Sequence, residues 1–220
     1  MSGFWSFIQS RQADIWTALG VHLEITVLAV LFGCILAIPA AVLIAENKIG
    51  WVNGLVFGIA NILQTIPSLA LLAILIPLIG VGRTPAIIAL FLYSLMPILR
   101  NTYSGLQSVD PHVLEAARGM GFTSGQRLIQ IRSPLAIPYI MSGIRVTTVY
   151  IISWATLATL IGAGGLGQLI VAGMGTNKKE LIVIGALLSV LLALVVDWVL
   201  GRLEKWVSVK LKARPAAGSI

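Results

Sequence analysis

Charge is what this sequence has least of. Only 10% of its 220 residues are Asp, Glu, Lys or Arg, while 58% are hydrophobic, against roughly 25% and 45–50% in a soluble globular domain. A soluble domain of this length buries about 70% of its chain surface, so this composition would leave broad apolar patches in water, and such patches aggregate. A water-soluble globule is therefore excluded, as are disordered and collagenous chains. Cysteine is nearly absent. Cys34 alone rules out a disulfide framework, and inside an apolar run it reads as a small packed hydrophobe. The two histidines, His22 and His112, lie far apart, so no metal site follows. No G-x-x-x-x-G-K-[ST] loop occurs, so the chain itself cannot hydrolyse ATP. No Ser-His-Asp or paired-carboxylate arrangement can be assembled within one leaflet, and the reading is not an enzyme. The net charge of +7 does not point to nucleic acid, because the basic residues sit between apolar runs and at the C-terminal end, the pattern of loops kept on the cytoplasmic side of a membrane.

What remains is long apolar runs. Five of them, about 23–45, 51–79, 83–99, 135–161 and 181–203, can span a bilayer; the first is about 34 Å long at 1.5 Å per residue. The sequence thus predicts an all-α integral membrane protein, 1–220 forming a single transmembrane domain. With the N-terminus outside, Lys48, Arg100, Arg118, Arg127, Arg132, Arg202, Lys205, Lys210, Lys212 and Arg214 fall inside and Arg11, Arg83, Lys178 and Lys179 outside. Ten against four predicts N-terminus out and C-terminus in. The first run begins too late and is too long for a cleaved signal peptide. Before it, Trp5, Ile8, Ile15, Trp16 and Leu19 recur at helical steps, predicting a separate helix over 4–20 on the outer membrane surface.

The longest polar connection, 100–134, faces the cytoplasm. Asp110-Pro111 reads as an N-cap with proline in the first turn, and Gly119 and Gly121 can stop that helix. Thr123 with Gln126 resembles a capping box opening a second short helix, which Ser133-Pro134 would end. Within the spans, Asn53, Asn61, Gln64 and Ser68 are spaced to share one helix face, either bonding neighbouring helices or lining a water-filled path. Pro67 and Pro77 would kink or interrupt span two. Arg145 and Asp197 are the two charges inside spans, at similar depth; they form an intramembrane ion pair, or Arg145 snorkels to the headgroups while Asp197 finds a polar contact near Arg202.

Glu115-Ala116-Ala117, then Gly121, Ile131 and Pro134, match the EAA loop of permease subunits in bacterial ATP-binding-cassette importers at every step except Ser133, where that family has Leu. The chain resembles that family. The resemblance implies a methionine-importer-like fold in which Glu115, Ala116, Ala117, Gly119, Gly121, Ile131 and Pro134 couple the permease to an ATPase subunit. A narrower similarity runs through Asn61 to Ala70, Gly82 to Ile87, Pro97 to Tyr103 and Trp154 to Gly167, and is to permeases of osmoprotectant importers for glycine betaine, choline and carnitine. It implies a second permease subunit, identical or homologous, two ATPase subunits holding ATP and Mg, and an external substrate-binding protein. This chain would bind membrane lipid but no cofactor of its own. For a quaternary ammonium substrate, aromatic faces are the available chemistry, and Tyr93, Tyr150 and Trp154 join Asn61, Gln64 and Ser68 as candidate path residues. Gly162, Gly164 and Gly167 match G-x-G-x-x-G, but they close a membrane span and lack the βαβ unit of a dinucleotide site. They read instead as a compact outer turn. A methionine-type importer and a passive channel or osmosensing scaffold are the alternatives; a channel has no use for an ATPase-docking knob.

Overall fold

The computed structural model describes residues 9–47 and 49–212, and among them there is no strand. The elements are α1 (Gln12–Glu46), α2 (Gly50–Thr65), α3 (Ser68–Ile79), α4 (Arg83–Gln107), α5 (Pro111–Gly119), α6 (Ser124–Arg127), a π-helical turn Leu128–Arg132, α7 (Ser133–Ala155), a 3-10 turn Leu157–Ile161, α8 (Gly167–Gly175) and α9 (Lys179–Lys212). Helices are what an apolar chain must form in lipid, where no water satisfies backbone N–H and C=O groups.

Three boundaries differ from those expected. Residues 12–20 do not form a separate surface helix: α1 is one continuous helix of 35 residues, about 52 Å long at 1.5 Å per residue. The helical periodicity there has another cause, since Ile15, Ala18 and Leu19 pack with Leu166, Leu169 and Leu181 of the α8 and α9 region. Residues 4–8 of the expected helix lie outside the described residues. Next, α4 runs on through Arg100 to Gln107, so the polar connection starts later than residue 100. Gly105 does not stop α4, because it serves a close approach: a Cβ there would lie 2.6 Å from the Cβ of Tyr139. Finally, Ser133-Pro134 does not end the second loop helix. Ser133 N–H bonds the carbonyl of Leu128, five residues back, and this wider turn accommodates a proline that has no N–H to give.

Span two is broken. α2 and α3 meet at 94° across Ile66-Pro67, because the residue before a proline avoids helical backbone and Ile66 is extended at ψ 127°. Pro77, in contrast, stays inside the last turns of α3.

The ends of the other helices establish that this bent pair crosses. Glu46 at the end of α1 pairs with Arg132, and Arg132 donates to the carbonyl of Leu106 in α4 at 3.0 and 3.2 Å. These mark one face, the loop face. On the opposite face Arg83 opens α4 and pairs with Glu24 at 2.9 Å, while Gly82 N–H bonds the Ile161 carbonyl at 2.8 Å. α1 ends on the loop face and α4 begins on the other, so α2 and α3 carry the chain between them. Five crossings result, with the described ends on opposite faces.

α1, α4 and α7 meet in a core of Ile25, Ala29, Leu90, Tyr93, Ile151 and Ala155. Small residues let these helices approach closely, as expected where hydrophobic drive between helices is weak. Outward-facing Leu31, Ile35, Leu187, Leu191, Leu194 and Trp198 are exposed, a surface suited to lipid or a second apolar chain.

Candidate functional site

The connection between α4 and α7 is a capped helix, a turn and a second helix start. The Asp110 carboxylate accepts the His112 N–H at 2.8 Å with Pro111 at the first helical position. Gly121 turns the chain at φ +84°, a conformation costly to any residue with a Cβ, and Phe122 N–H closes on the Ala117 carbonyl at 3.0 Å. Thr123 and Gln126 exchange bonds of 2.8 and 3.3 Å in a complete capping box. Arg127 braces the turn by donating to the Phe122 carbonyl at 2.8 Å and to Ser124 Oγ at 3.0 Å.

One side of α5 is left uncovered. His112, Glu115, Ala116 and Gly119 are exposed, and their spacing of three and four residues puts them on one face. Ala117, on the other side, is fully buried. Among the described residues the one ion-pair contact of the Glu115 carboxylate is His112 Nδ1, at 4.0 Å. Gly121 is exposed, while Ile131 and Pro134 are half-buried in the run that becomes α7.

At the break in span two the structure gathers the three aromatic candidates. Tyr93 and Trp154 rings lie 4.8 Å apart edge-to-face, and Tyr150 stacks on Trp154 at 6.3 Å. Their exposure differs. Tyr93 is 2% exposed and its hydroxyl donates to the Ile66 carbonyl at the break, whereas Tyr150 is 53% exposed. Tyr93 thus holds the bend, and Tyr150 with half-buried Trp154 presents open ring faces. Asn61 is exposed and Gln64 half-buried on α2, but Ser68 belongs to α3. The single helix face expected through Asn53, Asn61, Gln64 and Ser68 is therefore not formed, since the 94° break falls between Gln64 and Ser68.

Arg145 on α7 and Asp197 on α9 form a two-pronged pair, Nε to Oδ1 at 2.7 Å and Nη2 to Oδ2 at 2.8 Å. Sequence reasoning missed the third member: Arg145 Nη1 also donates to Glu204 Oε2 at 3.4 Å. Asp197, Gly201 and Glu204 are spaced four and three apart on one face of α9, and a Cβ at Gly201 would sit 3.0 Å from the guanidinium carbon. That spacing was the available signal. The glycine makes the seat on which the cation lies.

His22 was missed as well. It is fully buried; its Nε2 bonds the Ile152 carbonyl at 3.0 Å, and its Nδ1 accepts the Leu166 N–H at 3.2 Å. One imidazole thus joins α1, the end of α7 and the glycine turn. That turn, with positive φ at Gly162, Gly164 and Gly165, borders a cavity of about 560 Å³ also lined by Arg11, Asp14, Arg83 and Gln168. Among the described residues no group of three or more His, Cys, Asp or Glu could hold a metal ion.

Known proteins match this arrangement in sequence and in fold. The family described as "Binding-protein-dependent transport system inner membrane component" matches residues 37–209. The glycine betaine/carnitine/choline transport system permease protein OpuCB of Bacillus subtilis (strain 168) is 45% identical over 210 residues, covering 96% of each chain. The carnitine transport permease protein OpuCB of Listeria monocytogenes is 45% identical over 204 residues, covering 93% of each. Among solved structures, an inward-facing form of the MetNI methionine ABC transporter superposes with a TM-score of 0.82 at 23% identity, over 90% of this chain and 98% of that one. At that identity the likeness is one of fold.

Proposed function

This chain belongs to the family of binding-protein-dependent transport system inner membrane components, and from that premise we propose that it is the pathway subunit of an ATP-driven importer for quaternary ammonium osmoprotectants such as glycine betaine, carnitine or choline. The observation that carries the reading is the uncovered stripe of α5. A short capped helix held off the ends of the spans, with His112, Glu115, Ala116 and Gly119 facing outward, is shaped to enter a cleft. Its small residues permit close approach and Glu115 supplies a charge to a partner. The partner is a separate ATPase subunit, which holds ATP and Mg; the loop face is then cytoplasmic and the glycine-turn face external, in agreement with the excess of Lys and Arg on the loop side.

Substrate arrives at the glycine-turn face from an external binding protein that supplies the affinity. The cavity beside Gly162 to Gly165 receives it, and the path leads past the break in span two, where Tyr150 and Trp154 offer ring faces to a cation that cannot donate a hydrogen bond through its nitrogen. A second permease subunit completes the path, seated against the exposed apolar helix faces. Uptake of labelled glycine betaine, carnitine and choline is measured in cells lacking their own osmoprotectant importers and given this chain with its ATPase, binding protein and any second permease. ATP-dependent accumulation is expected, and its loss in Glu115→Lys and Gly121→Leu, with the permease still inserted but no longer co-purifying with the ATPase. Unchanged uptake in both variants refutes the coupling role of the loop.

A further inference from the structure

Between the end of α1, the end of α4 and the inner side of the loop lies a polar cavity of about 290 Å³ lined by Glu46, Gln107, Arg118, Ser124, Arg127 and Arg132, with Ala45, Asn47 and Leu114. Three guanidinium groups face one carboxylate, a surplus of two positive charges (three minus one). Arg132 consumes the carboxylate by pairing with Glu46. Among the described residues the Arg127 guanidinium has only neutral partners, the Phe122 carbonyl and Ser124 Oγ. Among the described residues, no hydrogen-bond or ion-pair partner is found for the Arg118 side chain. Two cations thus converge on one recess with no counter-charge among the described residues.

The depth of the recess narrows what can supply that charge. Glu46 stands three residues beyond Leu43, which is 72% exposed, and Arg132 three residues before Leu135, which is 52% exposed; three residues of helix advance about 4.5 Å. Trp51, 71% exposed, opens α2 at the same end, where tryptophan marks the membrane–water boundary. The cavity therefore lies at headgroup level, one helical turn from the lipid-facing surface. On α5, half-buried Leu114 lies on the side away from the stripe of His112, Glu115, Ala116 and Gly119, and exposed Arg118, four residues on, lies at the flank of that stripe, where it also lines the cavity.

We propose that this cavity binds the phosphate of an anionic phospholipid headgroup, with Arg118 and Arg127 as its two ligands. A guanidinium presents a planar fork of donors that matches two phosphate oxygens, and basic recesses at the ends of transmembrane helices suit anionic headgroups. A zwitterionic phosphatidylcholine headgroup carries its own cation into a recess already positive and is disfavoured. The bound lipid ties the loop to the end of α1, so that the position of α5 depends on membrane composition. The site does not depend on which substrate the chain carries.

The test uses the full-length permease purified in detergent with defined mixtures of phosphatidylglycerol and phosphatidylcholine, the retained lipid being quantified by native mass spectrometry. Wild-type protein is expected to retain phosphatidylglycerol selectively, and Arg118→Gln to lower that retention about fivefold, the factor ordinarily carried by one basic residue near an anionic surface. Arg118→Lys is expected to keep most of it. Because Arg127 also braces the loop, Arg118 carries the test, and Arg127→Gln is scored only as a further loss in a protein shown to elute as a folded species. Equal retention of both lipids by wild type, or no change in Arg118→Gln, overturns the proposal. Displacement of lipid by inorganic phosphate alone assigns the site to a soluble anion and also overturns it. Loss of ATPase association in Arg118→Gln with lipid retention intact gives the arginine to the protein partner, and equally overturns it.

Discussion

His22→Leu is the most informative single substitution in this fold. The two side chains are of similar size, so the change leaves little cavity; what it removes is the bond to the Ile152 carbonyl at 3.0 Å and the bond from the Leu166 N–H at 3.2 Å. Both backbone groups then stand in a site from which water is excluded, since His22 is 0% exposed. An orphaned buried group costs about 1–3 kcal/mol, and two cost about 2–6 kcal/mol together. At 2–4 °C per kcal/mol for a chain of this size, the melting temperature in detergent falls by roughly 5–20 °C. Asparagine and glutamine separate the two bonds: His22→Asn puts an acceptor near the Nδ1 position, and His22→Gln a donor near that of Nε2. Each is expected to recover part of the loss, but neither all of it. Melting is followed by size-exclusion recovery after heating, and uptake is measured in parallel. If His22→Leu melts with the wild type, the imidazole is not the tie between α1, α7 and the glycine turn that its geometry implies.

Arg145→Asp and Asp197→Arg should each lower the yield of folded protein, and the double swap should restore part of it, with Glu204 then accepting from the new arginine; a double no better than the worse single denies the pair its role. Gly143→Ala brings a Cβ to 2.6 Å from the Cβ of Asn101, an overpacking expected to cost about 1–3 kcal/mol. Asn101→Gly in the same chain should relieve it, as read by melting temperature. Tyr93→Phe deprives the Ile66 carbonyl of its donor and should cost about 1 kcal/mol. In a Cys34→Ser background a cysteine at Tyr150 should react with a small polar thiol reagent faster than one at Tyr93, and the reverse order would contradict the assigned path.

Much of this architecture is legible in the sequence because its signals are local. A run of apolar residues long enough to span, an Asp-Pro at a helix start, a Thr and Gln three apart and a glycine turn each act within a few residues, and each appears where its chemistry requires. The exceptions are tertiary. An apolar stripe at helical spacing over 12–20 fits a lipid surface or a neighbouring helix equally well, and only the packing of Ile15 and Leu19 against Leu169 and Leu181 decides between them. Pro67 and Pro77 carry the same local penalty, yet Pro67 breaks the span where Tyr93 can satisfy the freed carbonyl, and Pro77 lies where little helix remains to bend. The partners of His22 are 130 and 144 residues away, beyond any spacing argument. Glu204 was within reach of one, since Asp197, Gly201 and Glu204 repeat at the interval that places two acids and a gap on one side of a helix.

The failure of Ser133-Pro134 to stop a helix has the widest mechanical consequence. Because the π-helical turn absorbs the proline, the segment from Ser124 to Ala155 is a single helical run of 32 residues, about 48 Å of rod at 1.5 Å per residue. Its beginning is capped at the turn that holds α5. Along its length Arg145 fastens it to α9, Tyr150 and Trp154 stand at the break in span two, and the carbonyl of Ile152 fastens it through His22 to α1 and the glycine turn. Had the helix ended at Ser133, as the proline alone suggests, a displacement of the loop could be lost in a flexible joint. With one continuous rod, no flexible joint separates the loop face from the aromatic pair and from the Ile152 carbonyl that His22 ties to the glycine turn. The rod is attached to its neighbours by the Arg132 bonds to Glu46 and the Leu106 carbonyl, by the Arg145 charge pair, by the edge-to-face contact of Trp154 with Tyr93 of α4, and by the imidazole bridge of His22.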